Sequence, residues 1–172
     1  SISNFSYGDF ASAEGYDLRF IDQAESKELN YEVEKWDASG SSYIWVQVPE
    51  LSGSGARIYA YWGNTNVSIQ PAYCTNGATW SEGYRAVWHM NETSGAVLDS
   101  TANGNNSVAI NGSVNQNVAG MIAGADSFST INDWIRFDDN ASLDSGLTAM
   151  TLEAWTLNAT NDENPRAILS KR

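Results

Sequence analysis

The chain has 172 residues and a formal net charge of −12, from 9 Lys and Arg against 21 Asp and Glu. Nine scattered cations form no basic face for phosphate, which argues against a nucleic-acid partner. At 42% hydrophobic the sequence can build a core, and with only 17% charged residues its polarity rests on Ser, Thr, Asn and Gly, a composition suited to short strands and turns.

The first residues, Ser1-Ile2-Ser3-Asn4, show no signal-peptide pattern, and the missing initiator Met marks a mature form, a cleavage product or an excised piece. No apolar run approaches the ~20 residues that cross a bilayer, so membrane insertion is not expected. Further on, Leu29, Tyr31 and Val33 alternate with Asn30, Glu32 and Glu34, the pattern of a half-buried antiparallel strand. Ile44, Val46 and Val48 then face away from Tyr43, Trp45 and Gln47 until Pro49 ends the run. A third strand sets Ile58, Ala60 and Trp62 against Arg57, Tyr59 and Tyr61. Turn-forming Ala38-Ser39-Gly40-Ser41 and Ser52-Gly53-Ser54-Gly55 separate the three, which predicts an all-β meander.

The polar stretch 64–82, with Pro71, reads as a linker or an ordered strap. Its Cys74 is the only cysteine, either a buried thiol or a bond to another chain. A second set of strands is predicted at Tyr84 to Trp88, Trp134 to Phe137, Ala149 to Leu157 and Ala167 to Leu169. The acidic excess is divided, −7 in residues 1–82 and −5 in 83–172, so it marks no tail.

Four blocks in the first half, Gly15 to Phe20, Leu29 to Asp37, Tyr43 to Pro49 and Ile58 to Asn64, resemble a β-rich domain of unknown function found in large bacterial and archaeal surface proteins. The second half resembles the laminin G-like branch of the concanavalin A-like lectin/glucanase superfamily, through Val87 to Gly95, Leu98 to Asn106, Trp134 to Phe137, Leu152 to Trp155 and Ile168 to Lys171. The resemblance implies an all-β protein of two antiparallel β-sandwich-like modules, residues 1–82 and 83–172. The second would be an incomplete jelly roll. It further implies an opening strand of the first module before Ser1 and missing return strands of the second, supplied by another chain or by another part of the same precursor. An unfinished sheet leaves open edges, which are pairing sites.

Catalysis finds little footing in the motifs. A glycosidase needs two carboxylates across one bond. Glu32-Val33-Glu34 lies in the first module, and Glu153 stands alone in its run. His89, the only histidine, reads as a packed or surface strand residue. The oxygen-rich loop Asp99 to Asn106 offers hard ligands for calcium, with Asp99, Asn103 and Asn105 as candidates. The same residues equally suit an Asx-turn loop that caps its own backbone. Asp138-Asp139-Asn140 reads as a second calcium cluster or a solvated turn.

Trp36, Trp62 and Trp134, each at or near a strand end beside Asp, Asn or Gly, are the candidates for stacking on sugar rings; packing in a small core is the competing role. Asn-x-Ser/Thr recurs at Asn4, Asn66, Asn91, Asn105, Asn111, Asn140 and Asn158, which favours an exported, glycosylated surface. The expected protein is a non-catalytic extracellular or cell-surface module for adhesion or glycan recognition, its partner a glycan or another surface protein and calcium its one expected cofactor. The alternative is a structural subunit of a filament, sheath or surface layer that self-associates by β-strand addition. A third option, an accessory module of a polysaccharide-degrading enzyme, would also be non-catalytic.

Overall fold

A computed structural model of the chain describes residues 5–51, 53, 55–144, 148–158 and 167–170. Asn4 lies outside the described residues. Among the described residues, nine short strands and little helix make up the fold: β1 Arg19–Asp22, β2 Glu28–Leu29, β3 Tyr31–Lys35, β4 Tyr43–Val46, β5 Ile58–Tyr61, β6 Ser107–Asn111, β7 Asn115–Ala119, β8 Gly124–Ser127 and β9 Trp134–Phe137. Among the described residues the single α-helical turn is α1, Ala141–Asp144. All pairing is antiparallel, in one three-stranded sheet ordered β2-β1-β5 and three two-stranded ladders, β3-β4, β6-β9 and β7-β8. Among the described residues no helix is long and apolar enough to cross a membrane.

The predicted alternation in the first half governs what is buried. Tyr31 and Val33 point from β3 into a core with Leu18 and Cys74, joined by Phe20, Ile44, Val46 and Ala60 from the neighbouring strands. Tyr31 is fully buried, and its hydroxyl donates to the Leu18 carbonyl at 2.8 Å. A buried hydroxyl left unpaired costs about 1–3 kcal/mol, so this bond fixes the ring's depth in the core.

Within the stretch 64–82, residues 64–69 are largely exposed and the packing falls in 70–80. Two 3₁₀ turns, Ala72–Cys74 and Ala78–Trp80, lie against β3 and bury Cys74, Thr79 and Trp80. Gly77 makes the close approach possible. It sits at φ +83°, and a Cβ there would meet the Ala102 nitrogen at 2.3 Å. Only glycine carries both demands without strain.

Asp17, 2% exposed, closes the other end of this region. Its carboxylate accepts from the backbone N–H of Ala11 at 3.0 Å, Ser12 at 3.1 Å and Gly63 at 2.6 Å, tying the N-terminal turn to the exit of β5. Burial pushes its pKa up, but these donors together outweigh burial and hold it below the ordinary carboxylate value.

Three of the four strands predicted in the second half, Tyr84 to Trp88, Ala149 to Leu157 and Ala167 to Leu169, do not form; Trp134 to Phe137 is β9. In Tyr84 to Trp88 the only ladder contact is a single bridge between Trp88 and Asp99. The carbonyl of Arg85 is taken by the side-chain amides of Asn103 at 3.0 Å and Asn105 at 2.8 Å, which stand in for a neighbouring strand. Ala149 to Leu157 has no ladder partner among the described residues and is exposed throughout, with Trp155 78% and Leu157 93% exposed, and residues 167–170 are likewise exposed. Alternation marks a segment fit for a sheet; a ladder partner is still needed to make it a strand. No apolar side chain after Val97 is buried among the described residues.

Candidate functional site

The β3-β4 ribbon has two covered faces. Opposite the apolar core, Glu32 and Glu34 project beside Trp45, which pairs with Glu32 across the ladder. Onto this second face fold Trp80, His89 and Ser100. His89 stands between the two carboxylates, with Nε2 at 3.4 Å from Glu32 Oε2 and Nδ1 at 3.3 Å from Glu34 Oε2. The His89 ring stacks on Trp45 at 5.8 Å between centroids. Trp80 donates its indole N–H to Glu32, Ser100 donates its hydroxyl to Glu32 Oε1 at 2.7 Å, and Trp45 donates to Glu34 Oε2 at 2.5 Å.

The two glutamates sit on one strand and one face, yet their environments push them apart. Burial raises the Glu32 carboxyl, but hydrogen bonds from His89, Trp80 and Ser100 outweigh it and leave the pKa below the ordinary value. The Glu34 side chain is only 2% exposed; burial dominates there and the pKa is raised, with the neighbouring Glu32 charge adding to it.

Chemically this arrangement orders its groups as hydroxyl, carboxylate, imidazole. A nucleophilic triad needs the imidazole next to the hydroxyl, to take its proton. Ser100 faces Glu32 instead. Nor do the glutamates share a cavity: Glu32 lines one cleft and Glu34 another. The cluster's structural consequence is plain, since it fastens residues 80–100 to β3.

The Asp99 loop is likewise held by its own donors. Asp99 Oδ1 accepts from the N–H of Val87 at 3.0 Å and Thr101 at 2.9 Å; Oδ2 accepts from the Thr101 hydroxyl and the Asn105 N–H, both at 2.8 Å. Asn105 is buried, and its amide also donates to Ser142 Oγ in α1 at 2.9 Å. Among the described residues no group of three or more His, Cys, Asp or Glu is placed to hold a metal ion. Asp138, Asp139 and Asn140 follow β9 on the exposed surface.

The three candidate tryptophans part company. Trp36 is half-buried among Tyr7 and Phe10, and donates its indole N–H to the Ala13 carbonyl at 2.8 Å. Trp62 stacks on Phe10 at 5.6 Å. Trp134 stays 42% exposed at the start of β9. The acceptor motifs also divide. Asn66, Asn140 and Asn158 are exposed. Asn111 is exposed as well, but its amide donates to the Asn132 carbonyl at 2.8 Å, and the half-buried Asn91 donates to the Glu34 carbonyl at 3.4 Å. Asn105 has its amide in the two bonds above. Cys74 is a buried free thiol whose pKa burial pushes up to about 11.

One exposed feature was missed by looking only at tryptophan. Tyr59 and Tyr61, two residues apart on the edge strand β5, lie on the same outward face, 37% and 46% exposed. Period-two geometry puts them about 7 Å apart. Their ladder partners Ile21 and Arg19 flank them, and the Tyr61 hydroxyl is anchored to Glu25 Oε2 at 3.0 Å. The alternation of Ile58 to Trp62 already contained this pair.

The fold and these contacts define a β-rich protein of small antiparallel sheets whose core sits in its first hundred residues. Residues 14–102, 89 of the 172, match a domain of unknown function, DUF2341, and the chain belongs to that family. The match runs through the strap, the His89 cluster and Asp99. No curated protein and no solved structure matches the chain.

Proposed function

We propose that this chain is a non-catalytic module of the outer surface of a microbial cell that recognises a glycan or a glycosylated partner. The observation that carries this reading is the Tyr59–Tyr61 face on an edge strand. Two rings beside Arg19, that of Tyr61 anchored through Glu25 and the Arg19 guanidinium paired with Glu28 at 3.4 Å, combine stacking surface with hydrogen-bonding groups. The laminin G-like blocks of residues 83–172, read as part of a jelly-roll sandwich, support the same class by analogy of fold. The exposed acceptor motifs at Asn66, Asn140 and Asn158 suit an exterior setting. Calcium would brace the Asp99 loop only by displacing the donors that fill both Asp99 oxygens: a melting temperature that falls on chelation supports it, and an unchanged one removes it.

An immobilised panel of oligosaccharides tests the reading. Retention of the chain on at least one, weakened about tenfold by Tyr61→Ala, is expected, since an aromatic contact is worth roughly 0.5–1.5 kcal/mol. Failure to bind any oligosaccharide overturns it.

A second reading, a structural subunit, has its own observation: the exposed, unpaired run that includes Leu152 and Trp155. Strand addition by a neighbouring chain would cover it. Light scattering would then report growing assemblies that Trp155→Ser abolishes, and a stable monomer at high concentration excludes them.

A further inference from the structure

Where the segment around Glu92 meets strand β8, two carboxyl groups are satisfied only by half. Glu92 Oε1 accepts the Leu98 N–H at 2.8 Å, and Asp126 Oδ1 accepts the Asn117 N–H at 3.3 Å. The other oxygen of each, Glu92 Oε2 and Asp126 Oδ2, is buried with no hydrogen-bond partner among the described residues. A buried carboxylate oxygen without a donor is costly, and here the shortage falls twice at one junction.

Local structure brings the two groups together. β7 and β8 slip out of register between Asn115 and Val118, which turns the Asn117 N–H towards Asp126. On β8, Asp126 lies two residues from Gly124 and so projects from the same face. That face is the one against the first region, because a Cβ on Gly124 would lie 2.8 Å from the Cα of Asn91, the neighbour of Glu92. Burial raises the Asp126 carboxyl above its ordinary value of 3.8 against the Asn117 bond, and the Glu92 charge adds to it.

We infer that Glu92 and Asp126 share one proton, which latches the β7-β8 hairpin to the region that matches DUF2341. The Asp126 carboxyl donates its Oδ2 hydrogen to Glu92 Oε2, so a single proton satisfies both orphaned oxygens. The charged groups on the facing strand are engaged elsewhere. Glu34 and Lys35 of β3 line the cleft they share with Asn91, Asn117 and Gly124. Glu34 Oε2 takes the Trp45 indole N–H and faces His89, and the Lys35 ammonium pairs with Asp37 at 2.9 Å.

Such a latch opens as pH rises. Asp126 is raised in the folded state, so its contribution is complete below 3.8 and is lost as pH rises through the folded value. The proton then passes to water and leaves two like charges side by side, which loosens the hairpin's seat on Asn91.

Carboxyl-carbon NMR and thermal melting of the whole chain between pH 4 and pH 8 test the latch. Asp126 is expected to titrate above its ordinary value, and Glu92→Gln, whose amide donates at any pH, to weaken its proton affinity about tenfold. Asp126→Asn also supplies a permanent donor. Its melting temperature should exceed that of the native chain by about 2–4 °C at pH 8 and match it at pH 4. A difference that is the same at both pH values overturns the latch, as does an Asp126 titration that Glu92→Gln leaves unchanged. Millimolar calcium chloride supplies the last arm: a melting temperature at pH 8 that calcium raises in the native chain but not in Asp126→Asn would put a cation where the proton is placed, and overturns it too.

Discussion

In the β3-β4 ribbon each face has a cover, Tyr31 and Val33 meeting the apolar core and Glu32 and Glu34 meeting Trp80, His89 and Ser100. The β6-β9 ladder is built from equally short antiparallel strands, yet Val108 and Trp134 remain 48% and 42% exposed there. It is attached to the first region by Trp88 against Phe137, 4.1 Å between ring centroids, and by Ser107, whose N–H donates to the Val97 carbonyl and whose hydroxyl oxygen accepts from the Val97 N–H, both at 2.8 Å. The difference teaches that a ladder's own hydrogen bonds do not make a core. What separates the regions is whether chain from elsewhere folds back over both faces, and in residues 14–102 the strap and the His89 segment do so.

Substitutions should therefore divide sharply by region. The largest loss is expected for Tyr31→Ala, which empties a fully buried ring position and orphans the Leu18 carbonyl, at about 3–5 kcal/mol in chemical denaturation. Trp155→Ser, at a 78% exposed position, should change stability by no more than about 0.5 kcal/mol. Equal losses at the two sites would break the comparison.

His89→Ala comes next, because it leaves Glu32 and Glu34 facing each other without the imidazole. Stripping a hydrogen-bonding partner from buried carboxyl groups costs about 1–3 kcal/mol, and the loss should appear as lower melting temperature and faster hydrogen exchange in 80–100. Gly77→Ala should cost more than Gly83→Ala. Both glycines have positive φ, but a Cβ at Gly83 meets nothing within 4 Å, so only the backbone cost of about 1 kcal/mol applies there.

The smallest effect is the most discriminating, because it has two signs. Glu32 has a lowered folded pKa, so its contribution is present above its ordinary value of 4.5 and disappears as pH falls through the folded value. Glu34 has a raised folded pKa, so it favours the fold while protonated, and that contribution is lost as pH rises from 4.5 through the folded value. At pH 7, Glu32→Gln should then lower stability and Glu34→Gln should hold or raise it, each by about 1–2 kcal/mol at most. Melting curves of the two variants between pH 3 and pH 7 check the signs.

Much of the first region could be read directly from alternation. The strands around Leu29 to Val33, Ile44 to Val48 and Ile58 to Trp62 emerge with Leu29, Tyr31, Val33, Ile44, Val46 and Ala60 inward, but Ile58 is 37% exposed, Leu29 belongs to β2 and Tyr31 to β3, and β5 pairs with β1 instead of continuing a meander beside β4. What alternation could not reveal was the fate of the polar face. Glu32 and Glu34 look like a solvated stripe because their partners lie 11 to 68 residues away, and His89 alone carries no spacing signal. Nor does alternation distinguish a paired strand from an unpaired one, which is why Ala149 to Leu157 reads as a strand and has no ladder among the described residues. The Asn103 and Asn105 amides that replace a strand beside Arg85 leave only an Asn-rich loop in the sequence.

Hydrogen exchange followed by mass spectrometry on the dilute chain tests the central claim most directly. The account predicts slow exchange in β3, β4 and residues 87–107, with exchange across 148–158 approaching that of an unfolded peptide. Protection of 148–158 equal to that of β3 would contradict it.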